Sequence, residues 1–138
     1  MVNAYLNFNG NCAEAFRHYE KALGGMIEML MTIGDSPMKD QVPAEHHGRV
    51  MHVRMRIGKD VLMGSDEQVG SYTAPRGMSV AVTVKESAEA ERIFNALSAG
   101  GKVTAPFSKT FFSPGFGMTV DRFGTPWMIN TEPATAPA

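Results

Sequence analysis

A chain of 138 residues is the size of one folded domain and is long enough to bury a hydrophobic core. Its 13 basic and 14 acidic side chains form no run of like charge, which argues against nucleic acid or a membrane surface as a partner. No apolar segment approaches the roughly 20 residues of a membrane-spanning helix, and the N-terminus lacks the features of a signal peptide, so we expect a cytoplasmic protein. The single cysteine, Cys12, excludes an internal disulfide and a cysteine-based zinc site.

Two segments of the chain follow the same helical pattern. NCAEAFRHYEKALGG (11–25) and ESAEAERIFNALSAGG (86–101) both place Ala-Glu-Ala in the first turn and a Gly-Gly pair after the last. Apolar residues recur in both at helical spacing, and Cys12 falls on the apolar face of the first, where we expect it in the core. Asn11 and Glu14 predict a capping box for the first helix, and Ser87 is the predicted N-cap of the second.

Strand-like segments surround each helix in the same order. NAYLNF precedes the first helix, and MIEMLMTI, RVMHVRMRIG and KDVLMGS follow it; MSVAVTV precedes the second, and KVTAPF, FGMTVDR and PWMIN follow it. Each half therefore reads β-α-β-β-β, which predicts an α+β fold of two repeated modules at about 1–66 and 77–131. Polar residues and prolines between 34 and 48 predict a flexible loop. The proline- and alanine-rich sequence of 132–138 predicts a disordered tail.

A β-α-β-β-β unit repeated twice resembles the vicinal-oxygen-chelate superfamily, which includes glyoxalase I, extradiol dioxygenases and bleomycin-resistance proteins. The segments FNGNCAEAFRHYEKALGG, RVMHVRMRIGKDVLMGSD and GFGMTVDRFGTPWMIN are similar to its PhnB-like branch, in the same order and over almost the whole chain. The resemblance implies a single domain, 1–131, whose curved sheets cup a central cavity, and it implies a homodimer. Some members of the branch are named 3-demethylubiquinone methyltransferases, but the sequence lacks the glycine-rich strand-to-helix loop and downstream acidic residue that a nucleotide-like methyl donor needs.

The superfamily's enzymes hold a divalent metal at positions that the resemblance carries over to four strands. These positions correspond to Ala4 or Tyr5, to Met63, to Ser79 and to Met128. Zinc, magnesium, manganese and iron prefer nitrogen and oxygen ligands, and thioethers bind them poorly. We therefore expect no metal and no other cofactor, and we expect the last strand to supply a wall of the cavity.

Strand alternation predicts which polar side chains face a pocket. In RVMHVRMRIG one face carries His52, Arg54 and Arg56, while the other is apolar. His52 is the main catalytic candidate because histidine exchanges protons near neutral pH, and the alternative is a histidine that only hydrogen-bonds a neighbour across the sheet. Tyr5 is a second candidate. Asp66 could orient His52, accept from a substrate hydroxyl or cap a turn. The arginines could contact a ligand or pair with acidic side chains. The predicted ligand-binding residues are Asn7, Arg54, Met63, Ser79, Phe112, Met128 and Asn130.

Other conspicuous residues favour structural roles. His46 and His47 lie side by side in the predicted loop, which favours solvated side chains over a metal site. Trp127 is out of phase with the predicted pocket residue Met128, so we expect it in the core. Asp121 is expected to set the turn before the last strand.

Three functions fit this pattern. The first is a metal-free small-molecule-binding protein, or an enzyme that needs no metal. The second is a metal-dependent lyase, isomerase or dioxygenase with displaced ligands. The third is sequestration of a toxic compound, as in bleomycin-resistance proteins, with walls supplied by some of the eleven methionines and by the loop 34–48.

Overall fold

The computed structural model describes residues 1–133, and its chain forms two compact units, Met1–Thr73 and Ala74 onward. Most of the predicted tail, 134–138, lies outside the described residues. No helix in the described part of the chain is long and apolar enough to cross a membrane.

Unit 1 is a four-stranded sheet with one helix packed on it. The strand order is β1-β4-β3-β2, with β1 parallel to β4 and the other pairs antiparallel. Its elements are β1 (Ala4–Phe8), α1 (Cys12–Leu23), β2 (Met26–Thr32), β3 (Val50–Ile57) and β4 (Asp60–Asp66).

Unit 2 repeats this topology. The strand order is β5-β8-β7-β6, again with its first strand parallel to its last. Its elements are β5 (Val80–Val84), α2 (Ser87–Ser98), β6 (Lys102–Ser108), β7 (Phe116–Val120) and β8 (Pro126–Thr131). The predicted α+β fold of two β-α-β-β-β modules is confirmed.

Each helix packs on its sheet through the predicted apolar face. In unit 1 Phe8, Phe16 and Tyr19 are fully buried, and the ring centroids of Phe16 and Tyr19 lie 5.6 Å apart. The close approach of α1 requires Gly64 in β4, because a Cβ there would lie 2.8 Å from the Phe16 ring. In unit 2 the same closeness depends on Gly117 in β7, where a Cβ would lie 2.7 Å from a ring carbon of a phenylalanine in α2, Phe94.

Asn11 is the N-cap residue of α1 but makes no capping contact with its side chain, and the predicted N-cap of α2, Ser87, is wrong. Asn11 adopts φ −111° and ψ 20°, outside the extended conformation of a capping residue, and its side chain makes no cap hydrogen bond. A residue from another strand takes its place: the Asp66 carboxylate accepts a hydrogen bond from the Cys12 amide. In unit 2 Ser87 is already the first helical residue, and Glu86 stands at the N-cap without a side-chain hydrogen bond.

A buried carboxylate organises the turn before the last strand. Asp121 is 3% exposed, and its Oδ1 accepts from the amides of Phe123 (2.9 Å) and Thr125 (3.0 Å). Its Oδ2 accepts from Nε1 of Trp127 at 2.8 Å, and this indole is 1% exposed. The predictions that Asp121 sets this turn and that Trp127 lies in the core are confirmed.

The segment 34–48 has more local structure than its composition predicts. It contains most of three short 3-10 turns, Ile33–Asp35, Lys39–Gln41 and Ala44–His46. The ring Nε2 of His47 donates to the carbonyl oxygens of Lys39 (2.7 Å) and Val42 (2.9 Å), which ties the turns together. The histidine predicted to be solvated is therefore half-buried and structural, while the flexibility of the loop stays a prediction.

Candidate functional site

The sheet of unit 1 has one face covered by α1 and another, which we call open face 1, that carries the predicted polar residues. On β3 the residues Val53 and Met55 are fully buried on the α1 side, whereas His52 and Arg54, which alternate with them, are half-buried. Met63 of β4 is in register with both Arg54 and Tyr5, so these side chains form a row across the sheet. The alternation predicted for this strand is confirmed.

Two of the three catalytic candidates meet on open face 1. The Tyr5 hydroxyl lies 3.1 Å from Nδ1 of His52, and the two rings stack at a centroid distance of 5.7 Å and an angle of 23°. A phenol and an imidazole in hydrogen-bond contact can exchange donor and acceptor roles, because the imidazole has two tautomers. Tyr5 is 45% exposed, so the pair can contact a ligand.

The two arginines of open face 1 are paired with an acidic residue that the sequence interpretation missed. Nε of Arg54 donates to Oε1 of Glu28 at 3.2 Å, and Nε of Arg56 donates to Oε2 of the same carboxylate at 3.1 Å. The hydrogen bond from Arg56, and then that from Arg54, hold the pKa of the Glu28 carboxyl below its usual value. One of the two positive charges of this arginine pair is therefore compensated within the chain.

The third catalytic candidate, Asp66, has a structural role. Its Oδ1 accepts from the amides of Gly10 (2.8 Å) and Cys12 (3.1 Å), and its Oδ2 accepts from the amide of Val50 (2.8 Å). The carboxylate thus lies at the start of α1, on the opposite side of the sheet from His52. These contacts do not support the prediction that Asp66 orients His52. They agree with the capping alternative, since Gly10 lies in the turn between β1 and α1 and Cys12 begins α1.

The sheet of unit 2 carries the remaining predicted residues on its own uncovered side, open face 2. Ser79 and Met128 line a groove of about 690 Å³, together with Met118, which pairs in register with Met128. Asn130 follows Met128 on the same side, and its buried Oδ1 has no hydrogen-bond donor within residues 1–133.

Phe112 lies near one end of open face 2, in an aromatic cluster. Its ring stands edge-on to Phe116 of β7, which is in register with Asn130, at a centroid distance of 5.0 Å. The neighbouring Phe111 is fully exposed and contacts Phe112 at 5.2 Å. These rings extend the apolar part of open face 2.

The residues at the positions that the resemblance assigns to a metal do not fit a divalent ion. Ala4 pairs with the buried Leu62 on the α1 side, so Tyr5 is the residue that faces Met63 on open face 1. The corresponding positions of unit 2 offer one hydroxyl and one thioether. Among residues 1–133, no three His, Cys, Asp or Glu side chains come together as a metal site would require.

Comparisons with known proteins agree with this architecture. A family model described as 3-demethylubiquinone-9 3-methyltransferase matches residues 1–130. The chain is 31% identical over 137 residues to Protein YjdN of Escherichia coli (strain K12), covering 94% of this chain and 93% of that protein.

Solved structures extend the likeness. Protein PA1353 from Pseudomonas aeruginosa is 44% identical with a TM-score of 0.87, over 96% of this chain and 97% of that one. A putative 3-demethylubiquinone-9 3-methyltransferase, PhnB protein, from Bacillus cereus shares the fold at 22% identity and a TM-score of 0.79, over 94% of this chain and 98% of that one. A glyoxylase/bleomycin resistance protein/dioxygenase domain from Frankia sp. EAN1pec shares the fold at 11% identity and a TM-score of 0.61, over 96% and 94%. The chain therefore belongs to the 3-demethylubiquinone-9 3-methyltransferase family.

Proposed function

We propose that this chain binds a small molecule on the open faces of its sheets without the divalent metal that the superfamily's enzymes use. The observation that carries the proposal is the set of side chains at the metal positions, which are Tyr5, Met63, Ser79 and Met128. Phenol, hydroxyl and thioether groups give a surface that hydrogen-bonds weakly and adapts its shape, but they are poor ligands for hard cations.

The open faces favour a ligand with an apolar or aromatic body and oxygen acceptors. On open face 1 the single carboxylate of Glu28 compensates one of the two positive charges of Arg54 and Arg56, so the face keeps charged donors for the oxygens of a ligand. On open face 2 the walls are thioethers and hydroxyls, with an Asn130 amide whose oxygen is unpaired within the described chain. A molecule with an apolar or aromatic body and a few oxygens matches this chemistry.

Methyl transfer, which the family's name suggests, has no support in these residues. A nucleotide-like methyl donor is held by backbone amides in a glycine-rich turn between a strand and a helix. In the turn from β1 to α1 the amides of Gly10 and Cys12 donate to Asp66, and the turn from β5 to α2 contains Lys85 and Glu86 but no glycine. The residues do not fit such a cofactor, and we derive no step through it.

The contact between Tyr5 and His52 supports an enzymatic version of the same proposal. The hydroxyl and Nδ1 lie 3.1 Å apart in hydrogen-bond contact. In the tautomer whose Nδ1–H donates to the phenol oxygen, Nε2 could accept a proton from a bound substrate, and the phenol oxygen would stabilise the imidazolium that forms. A metal-dependent alternative would have to use the same two side chains, since Asp66 is engaged on the far side of the sheet. The sequestration alternative is favoured by the exposed Phe111 beside Phe112.

Metal analysis tests the proposal directly. Protein purified without chelator or metal-affinity resin is soaked in zinc, manganese, nickel or iron, desalted, and measured by elemental mass spectrometry. We expect no metal to persist at a stoichiometric level. About one metal per chain, lost in His52→Ala, would overturn the proposal and establish displaced ligands.

A thermal-shift screen of uncharged aromatic and oxygenated compounds identifies the ligand. Met63→Lys places a charge on open face 1 and Met128→Lys places one on open face 2, and each should abolish the stabilisation by compounds that bind its own face, because a buried unpaired charge opposes an apolar ligand. Val103→Lys, on the exposed edge strand β6, is the matched control and should keep it. If the control loses binding as well, the open faces are not the site.

A further inference from the structure

We propose that unit 1 has a second ligand site, separate from open face 1, that takes a neutral and largely apolar molecule with a carbonyl or ether oxygen. The site is a pocket of about 640 Å³ between the 3-10 turns of 33–46 and the adjoining ends of β3 and β4. Its volume is within the range of pockets that hold small organic ligands. The proposal goes beyond the open-face function, because none of the residues at the metal positions lines this pocket.

The walls of the pocket are mainly apolar and adaptable. Met38 and Val42 come from the turns, Met51 from β3 and Val69 from the segment after β4. Met38 is 40% exposed and Val69 is 58% exposed, so apolar surface remains in contact with solvent at the rim. Burying this surface against an apolar ligand is favourable because it removes apolar area from water.

One charged group in the wall has unused hydrogen-bonding capacity. Nη2 of Arg49 donates to the carbonyl oxygen of Glu67 at 2.7 Å. Its Nη1 packs against Gly10 so closely that a Cβ on this glycine would lie only 2.8 Å away, and these two contacts position the guanidinium. Its Nε is buried, yet it has no acceptor within residues 1–133. Arg49 lines the pocket, and its guanidinium has N–H donors without an acceptor within residues 1–133, so the oxygen of a ligand can accept from this group.

The charges of the wall select a neutral ligand. Asp66 and Glu67 line the pocket with Arg49, so a ligand anion would meet two carboxylates and a ligand cation would meet the guanidinium. Both Asp66 oxygens already accept backbone hydrogen bonds, which leaves little capacity there to bind a cationic ligand. A carbonyl or ether oxygen accepts from Arg49 without adding charge.

His47 is one of the side chains that hold the turns bordering the pocket. His47 donates from Nε2 to the carbonyl oxygens of Lys39 and Val42, and these carbonyls belong to the turns that carry the apolar wall. This contact keeps Met38 and Val42 positioned over the pocket. It also gives His47 a positioning role that does not need ligand contact.

Fluorescence titration with prodan, a neutral naphthalene ketone, tests the site on the full chain. We expect saturable blue-shifted emission, and we expect Val42→Asp to weaken binding about tenfold because it places a carboxylate in an apolar wall. Val103→Asp is the matched control and should bind as the wild type does. Absence of saturable binding, or equal binding by Val42→Asp and the wild type, would overturn the proposal.

Two further comparisons test the ligand class. Dimethylaminonaphthalene, which lacks the ketone, should bind the wild type about tenfold more weakly than prodan, and Arg49→Lys should reduce this ratio towards unity. The anionic probe anilinonaphthalene sulfonate should bind more weakly than prodan; stronger binding would refute the neutral class. If Arg49→Lys does not fold, the ratio of the prodan and dimethylaminonaphthalene affinities in the wild type and the titration of Val42→Asp test the proposal without it.

The two proposals fail separately. Met63→Lys on open face 1 should leave prodan binding unchanged while it abolishes stabilisation by an open-face ligand. If prodan binding falls in Met63→Lys and not in Val42→Asp, the probe occupies open face 1 and the second site is refuted, whereas the open-face proposal stands.

Discussion

Removing the Asp121 carboxylate should destabilise unit 2 strongly. The side chain is 3% exposed and accepts three hydrogen bonds, from the amides of Phe123 and Thr125 and from the Trp127 indole. A hydrogen bond to a charged group contributes about 1.5–3 kcal/mol, and a donor left unpaired in the interior costs about 1–3 kcal/mol. Because the three bonds share one carboxylate and are not additive, we expect Asp121→Ala to lower the free energy of unfolding by about 4 kcal/mol.

A double-mutant cycle isolates the contact with the indole. Asp121→Asn keeps one carbonyl oxygen for the turn amides and should cost about 2 kcal/mol, since one amide NH₂ group replaces an acceptor. Trp127→Phe removes the indole N–H and leaves Oδ2 of Asp121 without this hydrogen bond. We expect the double variant to be about 1.5 kcal/mol more stable than the sum of the single changes predicts.

Urea unfolding provides the measurement. Trp127 is the chain's only tryptophan, so its fluorescence reports on unit 2, and circular dichroism follows both units and serves for the Trp127→Phe variants. A coupling energy near zero, or a loss below about 1 kcal/mol in Asp121→Ala, would refute the reasoning that this carboxylate anchors the strand.

Three further predictions concern unit 1. Burial, and to a smaller extent the negative charge of Asp66, raise the pKa of the Cys12 thiol, so this thiol ionises at a lower pH in the unfolded chain than in the folded chain. The free energy of unfolding should therefore keep its full value below the ordinary thiol range and fall above it by up to about 1.4 kcal/mol per pH unit. Urea titrations between about pH 7 and 10 should show this slope in the wild type, and equal slopes in Cys12→Ala would contradict it. Asp66→Ala leaves three backbone amides without their acceptor and should cost about 3 kcal/mol in urea unfolding; a neutral effect would exclude the capping role. Gly64→Ala should cost about 2 kcal/mol because its Cβ would lie 2.7 Å from the Leu6 carbonyl oxygen, whereas Gly48→Ala, with nothing within 4 Å, should be nearly neutral in the same assay.

Local periodicity was sufficient to predict the elements and the faces of the strands. The alternation of His52 and Arg54 with Val53, and the burial of Trp127, follow from a two-residue repeat that any strand obeys. The same repeat placed Tyr5 and His52 on one face, although their contact crosses β4 and depends on register.

Contacts between distant segments were not predictable from the pattern. Asp66 caps α1 from the C-terminal end of β4. The local pattern of Asn11 and Glu14 predicted a capping box and could not show that the cap comes from a residue so distant in the sequence. Glu28 stands between register pairs at an irregularity of β2, and only the pairing of β2 with β3 brings it to Arg54. Composition alone also could not show that a histidine ring would hold the loop turns.

The glycines that admit a phenylalanine ring reveal how the two modules are related. Gly64 lies in the last strand of its module, whereas Gly117 lies in the next-to-last strand of the other. The rings that they accommodate, Phe16 and Phe94, also stand at different distances from the shared Ala-Glu-Ala triplet. The repeat therefore preserves the course of the backbone while each half solves its packing with its own residues. Core substitutions that suit one module are not transferable to the other, and stabilising changes can be designed for each half independently.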